Sequence, residues 1–178
     1  GRSDTADGGV FKWNFPLIGH YWVAGDTVLQ HIAKKEGGFD KLKGKKIALV
    51  YHDSPFGKEL LPILQERSKL HGFDLQMLPV PAPGVEQKAI WLQVRQQKPD
   101  FVIMQTWGVM TATSVKEAIA TGYPREKMFG TWWSGAEPDL RDIGAVALGP
   151  SADVAQIGLG TDLRDIGAGA KGYSADVA

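Results

Sequence analysis

The sequence predicts an α/β fold in which a parallel β-sheet carries helices on both faces. Four short apolar runs are typical of buried strands, segments with helical periodicity separate them, and each run ends in turn-forming residues. Strand–helix–strand units of this kind connect in a right-handed sense and leave the strands parallel. Ligands of such sheets bind beyond the carboxyl ends of the strands, so residues just after each run are the candidates for a site.

The first helix is predicted to begin at His20 or Tyr21 and to end near Lys35. Its apolar residues recur at helical spacing over 28–33. The glycines at 37–38 favour the left-handed conformation that terminates helices.

The first strand is predicted over 47–51, where β-branched and aromatic residues form an apolar run. Ser54 is expected to cap the next helix, because its hydroxyl can accept from the unpaired N–H groups of the first turn. Pro55 is expected to occupy the first helical position, where the N–H that proline lacks would have no partner in the helix. This helix is expected to reach Leu70 and to stop at Gly72.

The remaining elements follow the same plan. Prolines end the second strand, a proline ends the third helix, and Gly122 ends the fourth. The predicted bounds are strand 73–80, helix 86–97, strand 101–104, helix 111–121 and strand 128–133.

The two ends of the chain differ from this plan. Apolar and polar residues alternate over 10–15, which predicts a half-buried strand ending at Pro16. Segment 139–155 recurs as 162–178 with three differences in 17 positions. Two copies are too few to bury a shared core, so we interpret them as a recent duplication or an artefact in a Gly/Ala-rich tail.

Composition excludes several classes of function. Twenty basic and twenty acidic residues cancel, which disfavours binding to nucleic acid or to an anionic membrane. No apolar run approaches the ~20 residues of a membrane-spanning helix, so no membrane insertion is expected. The absence of cysteine excludes thiolate chemistry, and the four histidines lack metal-ligand spacing. No cofactor, no metal and no signal peptide are predicted.

An enzymatic function is not predicted. His52, Asp53 and Ser54 are the residue types of a catalytic triad, but neighbours in sequence cannot point at one another as a triad requires. No Gly-x-Ser-x-Gly elbow occurs either. A small α/β hydrolase therefore remains only the less favoured alternative.

Aromatic and hydroxyl side chains are concentrated at the predicted strand ends. Flat aromatic walls with a few hydroxyls are typical of a pocket for an organic ligand, although any single ring can also belong to the core. The candidate ligand-binding residues are His52, Asp53, Ser54 and Phe56 after the first strand, Thr106, Trp107 and Gly108 after the third, and Trp132, Trp133 and Ser134 at the fourth.

Four segments carry a family resemblance: GRSDTADGGVFKWNF, KLKGKKIALVYHDSPFGKE, KPDFVIMQTWGVM and EAIATGYPREKMFGTWWSGAEPDL. Together they resemble the substrate-binding proteins of branched-chain amino-acid ABC transporters, which have the type I periplasmic binding fold. The resemblance covers about residues 1–144.

The resemblance implies a two-lobed protein that closes on a small-molecule solute in the periplasm and docks to an ABC transporter permease. Residues 1–16 would be a crossing strand or linker from a first lobe, 17–144 the ligand-binding lobe, and 145–178 the tail. Amino-acid binders often place a carboxylate where Trp132 stands. This difference favours an aromatic acid or amide over an amino acid as solute. A ligand-sensing receptor domain of the same fold is the alternative.

Overall fold

The structure is a computed structural model that describes residues 2–15 and 19–135. The repeated segment predicted as a tail lies outside the described residues. Four strands and four α-helices alternate, and short 3-10 helices lie between some of them. The elements are α1 Tyr21–Glu36, β1 Lys46–His52, α2 Leu61–His71, β2 Asp74–Val80, α3 Lys88–Gln97, β3 Phe101–Gln105, α4 Val109–Thr121 and β4 Met128–Gly130.

The sheet is parallel and has the strand order β2-β1-β3-β4. The chain moves to one side of β1 to form β2 and to the other side to form β3 and β4. A crevice for ligands forms at such a switch point, beyond the carboxyl ends of the two central strands. The predicted fold class is confirmed, and β1 and β3 are the strands between whose carboxyl ends a site is expected.

Alternate strand residues face opposite sides of the sheet, because side chains have a period of two along a strand. Leu49 and Ile103 pack with helices α1 and α2 on one face, whereas Val50 and Met104 pack with α3 and α4 on the other. Each of these four side chains is fully buried. Apolar side chains on both faces explain why the central strands are continuous apolar runs.

The helix after β1 starts later than the sequence predicts. Ser54 and Pro55 lie in a turn, followed by a 3-10 helix at Gly57–Leu60, and α2 itself begins at Leu61. The Ser54 hydroxyl still accepts the N–H of Gly57 at 3.3 Å, so it caps the turn and not the α-helix. Tertiary packing outweighs the local capping signal here.

The fourth strand is shorter than predicted, and Trp132 and Trp133 are not part of it. Strand β4 ends at Gly130, and a 3-10 helix follows at Trp132–Gly135. The N–H of Thr131 donates to the carbonyl of Met104 at 3.1 Å, and the N–H of Ser134 donates to the carbonyl of Thr131 at 2.8 Å. These bonds turn the chain back over the end of β3.

The prediction of a half-buried strand over 10–15 is wrong. The N–H groups of Val10 and Phe11 both donate to the carbonyl of Asp7, which makes a turn. A strand needs a neighbour to pair its backbone groups, and no strand of the described residues lies beside this segment. Trp13 and Phe15 are consequently 88% and 80% exposed.

The phenol of Tyr123 is expected to make stability sensitive to alkaline pH. Its hydroxyl donates to the carbonyl of Pro99 at 3.1 Å. Burial raises the pKa of Tyr123, and the carboxylates of Asp100 and Glu126 add to the rise. The unfolded chain therefore loses this proton first, so the contribution is fully present below about pH 10 and is lost as the pH rises further.

Urea unfolding at pH 9.5 and at pH 11 measures this effect. Between these two values the free energy of unfolding should fall further in the wild type than in Tyr123→Phe, by at most about 1 kcal/mol, because a single half-buried phenol loses its proton. Equal losses in both proteins would contradict the assignment to Tyr123.

Candidate functional site

The candidate site is the carboxyl edge of the sheet, where the chain leaves β1, β3 and β4. The turn after β1 is fixed by three contacts. The N–H of Asp53 donates to the carbonyl of Val80 at 2.9 Å, the N–H of Lys58 donates to the carbonyl of Ser54 at 3.0 Å, and the Asp53 carboxylate pairs with the Lys58 ammonium at 2.7 Å. The turn thus holds Phe56 in place beside the switch point.

Gln105 connects the ends of three strands. It is fully buried, its amide nitrogen donates to the carbonyl of Phe56 at 3.5 Å, and its amide oxygen accepts the hydroxyl of Thr131 at 2.7 Å. Neither Gln105 nor Thr131 was among the predicted site residues. Their position at strand ends was the available signal, but the sequence does not show which polar side chains point inward.

Four aromatic side chains form what we call the aromatic cluster: Tyr21, Phe56, Trp132 and Trp133. The Tyr21 ring meets Phe56 edge-on at 5.4 Å between centroids and stacks on Trp132 at 5.5 Å. The indole N–H of Trp133 donates to the Tyr21 hydroxyl at 3.0 Å. Three of the predicted residues therefore come together around a residue that the prediction missed.

Only residues that follow strands were predicted to line the site. Tyr21 was missed because it precedes the first strand and begins α1. It is 9% exposed and belongs to the core cluster on the α1 face. Its ring joins the core to the carboxyl edge.

The aromatic residues differ in how much of each faces solvent. Trp107 is 57% exposed and Trp133 47% exposed, whereas Phe56 and Trp132 are half-buried and pack against the core. Exposed apolar rings at a ligand-binding edge are the surface that a flat organic molecule would contact.

The hydroxyls of Thr106 and Ser134 face inward. Both residues are fully buried. The Ser134 hydroxyl donates to the carbonyl of Thr106 at 2.9 Å, and the Thr106 hydroxyl lies 2.8 Å from that of Thr111. These side chains join the turn after β3 to the turn after β4, so they position Trp107 and Trp133 and do not themselves reach solvent.

The three triad-type residues do not form a triad. The side chains of His52, Asp53 and Ser54 share no hydrogen bond with one another. Asp53 beside Lys58 raises the pKa of that lysine, and the Nδ1 atom of His52 is buried without a hydrogen-bond partner in the described residues. Gly108 has a φ of 53° and leads directly into α4, where a side chain would be strained.

The described residues contain no cluster of three or more histidine, aspartate or glutamate side chains arranged to hold a metal ion. None of their helices has the length and apolar character needed to cross a membrane. Clefts of ≈320 and ≈480 Å³ occur elsewhere in the described part of the chain, and neither contains a predicted site residue.

Comparison with known proteins gave a consistent result. A sequence profile described as periplasmic binding protein matches residues 1–157. No curated protein matched the chain. A solved structure described as an ABC transporter permease from the Pseudomonas fluorescens group is 44% identical, with a TM-score of 0.79; the match covers 84% of this chain and 36% of that one.

Two more distant solved structures have the same fold. A branched-chain amino acid ABC transporter protein from Thermus thermophilus with bound valine is 22% identical, has a TM-score of 0.67, and is matched over 86% of this chain and 37% of its own. An extracellular ligand-binding receptor from Rhodopseudomonas palustris HaA2 is 17% identical with a TM-score of 0.61, over 70% and 33%. The chain thus spans about a third of the length of these proteins.

Proposed function

Because the chain belongs to the periplasmic binding protein family, we propose that it supplies one lobe of the non-catalytic solute-binding component of an ABC importer. The observation that carries this proposal is the aromatic cluster at the carboxyl edge of a parallel sheet. Trp107 directly follows Thr106, whose hydroxyl helps to hold the same edge together. Such edges bind ligands, and aromatic rings provide large contact areas for organic molecules.

The solute-contacting residues we propose are those of the edge that reach solvent at least in part: Asp53, Ser54, Phe56, Trp107, Gly108, Trp132 and Trp133. Thr106 and Ser134 act from beneath by holding two turns together. The solute would be covered on its other side by a lobe outside this chain. An edge that supplies half of a two-sided site need not itself enclose a cavity.

The solute class we propose is an aromatic acid or an amide. An amino acid carries an ammonium group, which loses hydration on binding and needs an anionic partner in the site. Asp53 is the carboxylate on the turn after β1, and it is already paired with Lys58 at 2.7 Å. A branched-chain amino acid, as in the Thermus thermophilus protein with bound valine, is the competing solute class.

Location in the periplasm and docking to a transporter permease belong to the same proposal. They are supported by the family match over residues 1–157 and by the solved ABC transporter proteins that share the fold.

Isothermal titration calorimetry on the product of the complete reading frame tests the solute class. Benzoate, benzamide and leucine are titrated separately at the same pH and ionic strength. We expect benzoate or benzamide to bind and leucine to bind more weakly. Tight binding of leucine without binding of either aromatic compound would refute the proposed class.

Trp107→Ala should weaken the binding of whichever solute the wild type binds. Loss of an aromatic wall is expected to reduce affinity by more than ~1 kcal/mol, or more than about fivefold in Kd. Leu70→Ala is the matched control, because Leu70 is 64% exposed and lies at the end of α2, on the opposite edge of the sheet. Unchanged affinity in Trp107→Ala would place that ring outside the site.

A further inference from the structure

Glu59 is a buried carboxylate whose partners, Arg2 and Ser3, lie near the start of the chain. The residue is 8% exposed. One carboxylate oxygen accepts the Nε–H of Arg2 at 2.7 Å, and the other accepts the backbone N–H of Ser3 at 3.0 Å. The hydroxyl oxygen of Ser3 is also buried, which shows that this part of the segment is packed against the lobe.

Glu59 is directly joined to the turn that carries Phe56. It lies in the 3-10 helix Gly57–Leu60, and its backbone N–H donates to the carbonyl of Phe56 at 3.3 Å. The same turn is held by the bond from the Gly57 N–H to the Ser54 hydroxyl. A displacement of Glu59 therefore moves the first corner of the candidate site.

The segment 2–15 is attached to the lobe mainly at its beginning. Arg2 and Ser3 bind Glu59, whereas every residue over 7–15 is exposed. Only the Glu59 member of this ion pair is buried: its side chain is 6% exposed, whereas that of Arg2 is 57% exposed. Removing Arg2 would therefore leave the Glu59 carboxylate unpaired in a poorly hydrated place. The Arg2–Glu59 contact thus has a large effect on where the turn and the segment sit relative to each other.

We propose that Glu59 and Arg2 form a latch, and that Glu59 is a positioning residue for solute binding. The latch fastens the segment that precedes α1 to the turn that presents Phe56 to the solute. Through this contact, movement of the segment changes the position of the turn. The role in solute binding rests on the proposed function, whereas the ordering of the turn does not.

Hydrogen–deuterium exchange on the 178-residue chain tests the latch without any solute. Glu59→Gln removes the charge at nearly constant shape, and Arg2→Ala removes the partner. We expect the amides of 57–59 to exchange at least about tenfold faster in both variants, while those of strand β3 keep the wild-type rate. Arg2→Lys, which keeps the charge, should restore part of the protection.

Asp4→Asn is the matched control, because it removes an exposed partner of the same arginine. Arg2 and Asp4 pair at 2.9 Å with side-chain exposures of 57% and 67%, so this change should leave exchange at 57–59 unchanged. Unchanged exchange in both Glu59→Gln and Arg2→Ala would overturn the latch. Equal acceleration in β3 would overturn it too, since that result marks a general loss of stability.

Solute affinity is the second measurement. The product of the complete reading frame is used here, as in the calorimetry above. With a solute that this protein binds, Glu59→Gln should raise Kd at least about fivefold and Asp4→Asn should not; equal Kd values in wild type and Glu59→Gln would remove the positioning role. If that protein binds no solute at all, the proposed function fails, and the exchange experiment still decides whether the latch exists.

Discussion

Replacing Gln87 with leucine is expected to lower the free energy of unfolding by about 4 kcal/mol, among the larger effects of a single substitution. Gln87 is 1% exposed and uses both ends of its amide. The nitrogen donates to the carbonyls of Gly84 and Met110 at 2.6 and 2.8 Å, and the oxygen accepts from Trp91 and Ser114 at 3.2 and 2.7 Å. Leucine would remove a hydrogen-bond partner from each of these four polar groups.

Urea unfolding followed by circular dichroism measures this loss. Gln93→Leu is the matched control, since Gln93 is exposed and lies in α3, the helix that Gln87 directly precedes; its effect should stay within about 0.5 kcal/mol. A loss below about 1 kcal/mol in Gln87→Leu would show that the four groups find other partners. Met110 is the second residue of α4 and lies two positions after Gly108, so the variant should also disturb the turn that carries Trp107.

Gly57→Ala is expected to destabilise the protein by about 3 kcal/mol, because overpacking against backbone is relieved only by moving the chain. A Cβ at Gly57 would overlap the carbonyl oxygen and carbon of His52 and lie 2.8 Å from its backbone nitrogen. His52 is the last residue of β1, so the displacement would reach the sheet. The turn with Phe56 would shift as well, and solute affinity should fall together with stability.

The change in the midpoint of urea unfolding measures the effect of Gly57→Ala. Gly8→Ala serves as control, because a Cβ there would have no atom within 4 Å and the backbone does not require glycine. Its effect should be within about 0.5 kcal/mol. If the two alanine variants were equally stable, the close approach between Gly57 and His52 would not be part of the folded protein.

The parallel sheet could be predicted from sequence because its strands are buried on both faces. Residues such as Leu49, Val50 and Ile103 make the apolar runs unmistakable, and Gly37, Gly72 and Gly122 end their helices as expected. These signals are local in the chain. Each one reports on a few neighbouring residues and needs no knowledge of what packs against them.

The candidate site was only partly predictable because its contacts join distant residues. The Tyr21 hydroxyl accepts from Trp133, which is 112 residues away, and Arg2 binds Glu59 across 57 residues. The same limitation affected Ser134: its residue type suggested a ligand contact, but its hydroxyl is turned toward the backbone of Met104 and Thr106. Sequence indicates which edge matters, whereas packing decides which side chains face outward.

The strand order also bears on self-association. In the described residues, β2 and β4 are the outer strands, and the backbone groups on an unpaired strand edge attract other chains. Strand β4 has three residues before the chain curls into a 3-10 helix, so it offers a short template. Strand β2 has seven residues, and Pro79 removes one N–H from it. A short edge strand and an edge strand interrupted by proline both oppose edge-to-edge pairing with the sheets of other molecules.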